Sequence, residues 1–151
     1  MRSLTDPAER RRAGRRDREG GSTAIEFVIW TPLLLIILLA LAQLALVLFA
    51  QHVADTAAQA GARAGRQDEP TDPKGWTSVA ATTADNWVNG LVGDAVKPDT
   101  LKTLPVFNKA PNACTPPTVT VQVSFQMSSL LGSLTARGQS QGPVENFYPE
   151  C

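Results

Sequence analysis

Residues 27–50 read FVIWTPLLLIILLALAQLALVLFA, a run of 24 residues without a charged side chain. An α-helix rises about 1.5 Å per residue, so this run reaches roughly 36 Å, against about 30 Å for the hydrocarbon core of a bilayer. A helix buried in a soluble core is usually shorter and keeps a polar side, which this run lacks. The run therefore predicts one membrane-spanning helix, with Pro32 in its first turns, where proline is tolerated.

The charges of the chain are divided unevenly around this run. Residues 1–21 hold seven of the 14 Lys and Arg residues against four acids, whereas residues 51–151 hold seven against nine. Basic residues next to a span stay on the cytoplasmic side. We therefore expect a single-pass protein of the cytoplasmic membrane, with its N-terminus inside and its C-terminal domain outside. Nucleic acid is not an expected partner, because the basic residues sit on a tail rather than across a folded face.

The chain divides into three predicted segments. Residues 1–21 form a basic cytoplasmic leader, residues 22–66 the transmembrane helix with an Ala-rich extension, and residues 67–151 a small extracytoplasmic domain. The Pro- and Gly-containing stretch QDEPTDPKG at 67–75 is typical of a helix end. With 151 residues in all, the domain outside the membrane has room for only a small core.

The predicted fold class is α+β, with the long N-terminal helix followed by one helix on a short antiparallel sheet. Residues 76–91 place Trp76, Trp87 and other apolar residues at helical spacing, and we interpret both tryptophans as core. Residues 118–125 alternate strictly between polar and apolar side chains, which predicts a strand. Residues 104–107 and 134–137 are weaker strand candidates that could pair with it.

The extension after the span carries small residues four apart, at Ala57, Gly61 and Gly65. Each glycine weakens a helix by about 1 kcal/mol, which is a reason to look for a close contact. Such small faces let a second helix approach within membranes. The sequence leaves two packings open, against a neighbouring subunit or against the domain of the same chain.

One acid stands at the start of the apolar run, in Gly20-Gly21-Ser22-Thr23-Ala24-Ile25-Glu26-Phe27. A carboxylate inside a bilayer costs about 2.5–3.5 kcal/mol at the helix centre, so the position of Glu26 at the edge of the apolar run needs an explanation. If the helix begins at Ser22 or Thr23, Glu26 lies in its first turn, where the helix dipole stabilises an acid.

The same residues resemble the TadE-like pseudopilins of the tight-adherence secretion system. A basic leader ends in Gly21, Glu26 is the fifth residue after that glycine, and an apolar helix with an early proline follows. Residues 57–66, AAQAGARAGR, are similar to the Ala-rich AAREGARA segment that follows the membrane helix in that family. The resemblance covers residues 20–66 and, beyond them, only the general layout.

The resemblance implies cleavage of the Gly21–Ser22 bond by a prepilin peptidase. The new amino group on Ser22 would be largely protonated at neutral pH. In pilin-like assemblies the acid at the position of Glu26 is thought to meet the amine of a neighbouring subunit. The implied partners are therefore the lipid bilayer, the peptidase, other pilin-like subunits in a homo- or hetero-oligomer, and the pilus or secretion assembly machinery.

The search for catalytic and metal-binding motifs in the sequence finds none. The single histidine, His52, lies beside the membrane without a nucleophile at motif spacing, so we expect no enzyme, no cofactor and no metal. Cys114 and Cys151 both fall in the part expected outside, where an oxidising compartment favours a disulfide. A pairing between subunits or two free thiols are the alternatives.

Two other functions remain compatible with these patterns. One is an uncleaved, membrane-anchored binding module, which differs from a pseudopilin in keeping the Gly21–Ser22 bond. The other is a secreted domain released after Ala60, since Ala58-Gln59-Ala60 resembles a signal-peptidase site. The length of the apolar run opposes the second alternative, because signal sequences carry about 7–15 apolar residues.

Overall fold

The fold is described from a computed structural model, which covers residues 7–69, 72–110, 115–129 and 131–144, with side chains from residue 24 onward. The elements are α1 (Pro7–Asp68), α2 (Trp76–Val92), a 3-10 turn (Gly93–Ala95), β1 (Lys102–Asn108), β2 (Thr118–Ser129) and β3 (Gly132–Pro143). The chain forms two compact units, Met1–Ala42 and Gln43–Cys151. The α+β class predicted from the sequence is confirmed.

The three strands form one antiparallel sheet in the order β1-β2-β3. In β2 every second residue is buried on one side, namely Val119, Val121, Val123, Phe125 and Met127. The predicted strand at 118–125 is confirmed and extends to Ser129, and the weaker candidates at 104–107 and 134–137 lie within β1 and β3. This apolar side of the sheet is the base of the core.

The C-terminal third of α1 packs on the sheet rather than standing apart from it. Its buried side chains are small, namely Ala50, Val53, Ala54, Ala57, Ala58 and Ala62. A Cβ built on Gly138 of β3 would overlap the backbone at Ala54, so helix and strand approach as closely as their main chains allow. The compact unit that begins at Gln43 therefore includes residues that the sequence assigned to the transmembrane helix and its extension.

Helix α2 turns a stripe of every fourth residue to the core: Trp76, Ala80, Ala84, Val88 and Val92. The interpretation of both tryptophans as core is correct for Trp76, which is 5% exposed, and wrong for Trp87, which is 46% exposed. Helix α2 carries two rows of apolar residues, one rich in alanine and one that contains Trp87, and only one row can face the core. The one rich in alanine prevails because α1 lies too close for larger side chains, since a Cβ on Gly61 would stand 3.0 Å from the Ala84 Cβ.

Side-chain contacts attach α2 to the edge strand β1. The Thr103 hydroxyl donates a hydrogen bond to the Asp85 carboxylate at 2.6 Å. The rings of Trp76 and Phe107 lie 6.2 Å apart with 55° between their planes, an arrangement that aromatic pairs favour. Helix and edge strand are thus held at two points, one polar and one aromatic.

The start of α1 differs from the sequence expectation. The helix begins at Pro7, so neither Ser22 nor Thr23 is its N-cap. In the uncut chain Glu26 therefore lies in the helix interior, where the dipole effect of a first turn does not reach it.

A pair of glycine substitutions tests the close approach of α1 to α2. Gly61→Ala is expected to lower the free energy of unfolding by about 1–3 kcal/mol, because its Cβ would lie 2.7 Å from the Ala80 carbonyl oxygen and force the helices apart. Gly90→Ala is the matched control, since nothing lies within 4 Å of its Cβ. The control should raise stability by about 0.5–1 kcal/mol through helix propensity.

The measurement is urea unfolding of the full-length protein in detergent, followed by circular dichroism. Equal effects of the two substitutions would contradict the close packing described for Gly61.

Candidate functional site

The first feature of functional interest is the apolar part of α1. Among the residues that the structure describes, Ala24–Asp68 is the one helix long and apolar enough to cross a membrane, with a mean hydropathy of 3.0 over its best window. Every residue of 24–42 is exposed, including Phe27, Leu34 and Ile36. An apolar surface of this extent marks a contact with membrane or protein, because soluble monomers rarely leave one in water.

Near its N-terminal end the apolar part of α1 contains an internal proline, Pro32. Pro32 has no N–H to donate to the carbonyl oxygen four residues earlier. Beside it, the Thr31 hydroxyl donates a hydrogen bond to the Phe27 carbonyl oxygen at 2.7 Å. In this way Thr31 satisfies its own polar group inside the apolar run, as Ser and Thr do in transmembrane helices.

The residues expected at the processing site all lie on α1. Gly21 and Ser22 are helical, and their side chains lie outside the described part. Glu26 is exposed, one helical turn after Ser22. Residues four apart lie on the same side of a helix, with their Cβ atoms about 5–6 Å from each other.

The small residues of the extension contact the same chain. Ala57, Gly61 and Gly65 are buried. A Cβ on Gly65 would meet the Ala80 Cβ and the Trp76 ring at 3.1 Å and Val119 at 3.4 Å. Of the two packings that the sequence left open, the structure shows the one within the chain. This side of α1 is therefore occupied by the chain's own α2 and β2.

The opposite side of the extension is polar and exposed at His52, Asp55, Gln59 and Arg63. Within the described ranges, no group of three or more His, Cys, Asp or Glu side chains could hold a metal ion. Arg66 lies against Gly142 of β3, and its Nε is buried without a hydrogen-bond partner in the part that is described. Cys114 and Cys151 lie outside the described residues, so their pairing stays a prediction.

The outer side of the sheet carries a shallow groove that sequence reasoning missed. Its volume is about 540 Å³, and its lining includes Lys102, Ser124 and Arg137 from the three strands. In the sheet register Lys102 of β1 and Arg137 of β3 both lie opposite Ser124 of β2, which places one cation on each side of Ser124. Only the pairing of the strands brings them together, because they are far apart in sequence.

Fold and site together define a class: an α+β protein whose N-terminal helix is a candidate membrane span. Residues 21–63 match a family model described as TadE-like protein. The resemblance predicted from the sequence is confirmed over this segment, which begins at Gly21 and ends in the small-residue extension. No curated protein and no solved structure matches the chain.

The predicted disulfide can be tested on the purified protein. We expect Cys114 and Cys151 to resist a thiol reagent until a reductant is added, and the protein to migrate as a monomer on a non-reducing gel. Reduction should lower stability by about 4 kcal/mol in the chain-entropy description of a loop of this length. Cys114→Ser/Cys151→Ser is the control that reduction should leave unchanged. A reducible dimer would show a bond between subunits, and immediate labelling would show two free thiols.

Proposed function

We propose that this chain is a pseudopilin, a structural component of a tight-adherence type pilus or secretion apparatus that is inserted by its N-terminal helix. The observation that carries the proposal is the family match over residues 21–63. The matched segment contains Glu26, the apolar run and most of the extension. It begins at the glycine after which the chain is proposed to be cut.

The orientation follows from the charges beside the span. Arg10, Arg12 and four further arginines lie within about twenty residues of its inner end, whereas the far side offers only Arg63 and Arg66 nearby. The N-terminus is thus proposed to face the cytoplasm, and the unit of helix and sheet to lie outside the cytoplasmic membrane.

A prepilin peptidase would hydrolyse the Gly21–Ser22 bond on the cytoplasmic side. Water adds across the bond, so Gly21 leaves with a carboxylate and Ser22 keeps an ammonium group. The helix, which begins at Pro7 in the uncut chain, would then begin at Ser22. Glu26 would pass from the interior of the helix to its first turn, where both the dipole and the new ammonium group stabilise a carboxylate.

Neutralisation of Glu26 matters because it lies at the edge of the apolar run. An ion pair between Glu26 and the amine of Ser22 removes two charges from a low-dielectric boundary. Within one chain the two groups are one turn apart, and between neighbouring subunits the same pairing would fix the axial stagger. The exposed apolar residues of α1 are the surface on which such neighbours, identical or different, would pack.

The secreted-domain alternative is opposed by the core. Cleavage after Ala60 would separate Val53, Ala54 and Ala57 from the sheet on which they pack. The uncleaved binding module keeps one observation in its favour, the groove between Lys102 and Arg137, and it differs from the pseudopilin at Gly21.

The N-terminal sequence of the protein from the membranes of its own cells is the decisive test. We expect a start at Ser22 in the natural protein and an uncut chain in Gly21→Leu, because the bulky side chain would block the peptidase. Gly20→Leu is the matched control, and it should still be cut. An uncut natural protein would remove the pseudopilin proposal and favour the anchored binding module.

A second test separates insertion from assembly. Glu26→Ala and Glu26→Gln should enter the membrane as the natural protein does, yet be processed abnormally or recovered poorly with the pilus fraction, because neither side chain can neutralise the Ser22 amine. Asp55→Asn removes an exposed acid of the extension and serves as control. Normal recovery of both Glu26 variants would exclude this carboxylate from the mechanism.

A further inference from the structure

The charge of the sheet is concentrated at one place on its outer side, the side that faces away from the core. The three strands contain no acidic residue and two basic ones, Lys102 and Arg137, which are both exposed. They lie opposite Ser124, one on each side, and we call these three residues the cationic row. Neighbouring strands are about 4.8 Å apart, so the two basic residues are attached roughly 10 Å from each other.

Polar side chains at one end of the outer side bind one another. The Asn108 amide donates hydrogen bonds to the hydroxyl oxygens of Thr118 at 3.3 Å and Thr120 at 2.9 Å. The Gln141 amide donates another to the Thr118 hydroxyl at 3.0 Å. At this end the side chains of the three strands therefore satisfy much of their own hydrogen-bonding capacity.

The cationic row differs from that end. Within the part of the chain that the structure describes, no hydrogen bond or ion pair holds the side chains of its two cations. The same holds for Gln122 and Gln139, which are exposed and lie opposite each other in the next row. On the other side of the cationic row a second groove, of about 270 Å³, includes one acid, Asp99. Two cations thus face a single carboxylate, and the site has a net positive charge.

This arrangement matches an anion that also carries hydroxyl groups. The guanidinium of Arg137 presents paired N–H donors that fit a carboxylate, and the ammonium of Lys102 adds a second positive charge. Between them, the Ser124 hydroxyl is a further donor. In the next row, Gln122 and Gln139 each offer an amide donor and a carbonyl acceptor, which is the combination that a hydroxyl group requires.

We propose that the outer side of the sheet binds an acidic polysaccharide. Its carboxylates contact Lys102 and Arg137, and its hydroxyl groups contact Gln122 and Gln139. Charge complementarity with the cationic row and the neighbouring pair of amides select this ligand together. The inference goes beyond the proposed function and depends neither on cleavage nor on assembly, because all the residues that carry it lie in the unit Gln43–Cys151.

The shape of the site favours a polymer over a small molecule. The grooves on the two sides of the cationic row extend from the level of Gln122 to that of Gln126. This is four residues along a strand, or roughly 13 Å. Small-molecule sites are concave and cover most of their ligand, whereas these grooves are shallow. A linear chain that lies along the strands therefore fits the surface better.

Other anionic partners fit less well. Single-stranded nucleic acid is held by stacking on aromatic rings, and among the described residues the outer side of the sheet carries no aromatic side chain. An acidic peptide that extends a sheet binds the backbone of an edge strand, whereas the cationic row lies on the face of the sheet. An anionic lipid surface is bound by about four to eight basic residues, and this face offers two.

Lysine acetylation locates the ligand on the full-length protein, kept in a neutral detergent without sugar headgroups. The probe is a trimer of galacturonic acid, and mass spectrometry gives the acetylation rate of each lysine. The basic leader contains arginine but no lysine, so binding of the probe to the leader does not enter the measurement. With the probe at about ten times its Kd, acetylation of Lys102 should slow about tenfold by mass action. The exposed Lys74 and Lys109 should react as before.

Matched variants test the two cations by isothermal titration calorimetry with the same probe. Lys102→Gln/Arg137→Gln should weaken binding about tenfold or more, because charge-assisted hydrogen bonds are lost. Arg63→Gln/Lys109→Gln removes the same charge from exposed residues outside the groove and should leave the affinity unchanged. The leader contributes an equal background to both variants. Their thermal unfolding should match that of the natural protein, since all four side chains are exposed.

A peptide of equal charge separates polysaccharide from protein ligands. Triglutamate with blocked ends carries the same three carboxylates, and it should bind about tenfold more weakly because it brings no hydroxyl groups. Gln122→Ala/Gln139→Ala should weaken binding of the galacturonic acid trimer and leave binding of the peptide unchanged. A neutral galactose trimer should give no protection of Lys102.

Three outcomes would overturn the inference. They are an unprotected Lys102, equal slowing of acetylation at every lysine, and binding of triglutamate as tight as that of the sugar acid, which would show an acidic protein ligand instead. None of them bears on processing at Gly21, which the N-terminal sequence tests separately.

Discussion

The structure of the unit Gln43–Cys151 depends on how closely α1 approaches α2 and the sheet. Three glycines set that distance: a Cβ would overlap backbone atoms at Gly61 on the helix and at Gly138 on β3, and it would be tightly packed at Gly65. The interior is correspondingly rich in alanine and valine, with Phe125 as the largest fully buried side chain. A small core of this kind gains its stability from contact at short range rather than from large buried surfaces. Gly61 and Gly65 would weaken α1 as an isolated helix, but they allow it to pack closely against α2 and the sheet.

Much of this fold follows from local sequence patterns. The candidate span is recognisable because 24 uncharged residues exceed the length of a usual core helix, and β2 is recognisable because its polar and apolar residues alternate strictly. The core side of α2 could not be predicted, since Trp87 and Ala84 both lie on plausible stripes. Which stripe turns inward is decided by the space beside Gly61, and that space is a property of the packed helices.

The segment 21–63 and the groove on the sheet show the same contrast: some features are visible in the sequence, and others arise only when the chain folds or is cleaved as proposed. Gly21, Glu26 and the apolar run are recognisable from their spacing alone, and the family match begins at the same glycine. The ionic partner proposed for Glu26 is encoded nowhere as a side chain, because it would be a backbone amine that exists only after cleavage. The groove between Lys102 and Arg137 was equally invisible, since strand pairing creates it.

The alignment of α1 with β2 also determines how the unit Gln43–Cys151 would respond to a pulling force. Contacts from Gly65 to Phe49 run side by side along the helix and the strand. A force along the helix axis therefore loads these contacts in shear, so that many must give way together. A force across the axis would instead peel them apart one after another. A unit built in this way resists a pull along the helix axis more strongly than a pull across it.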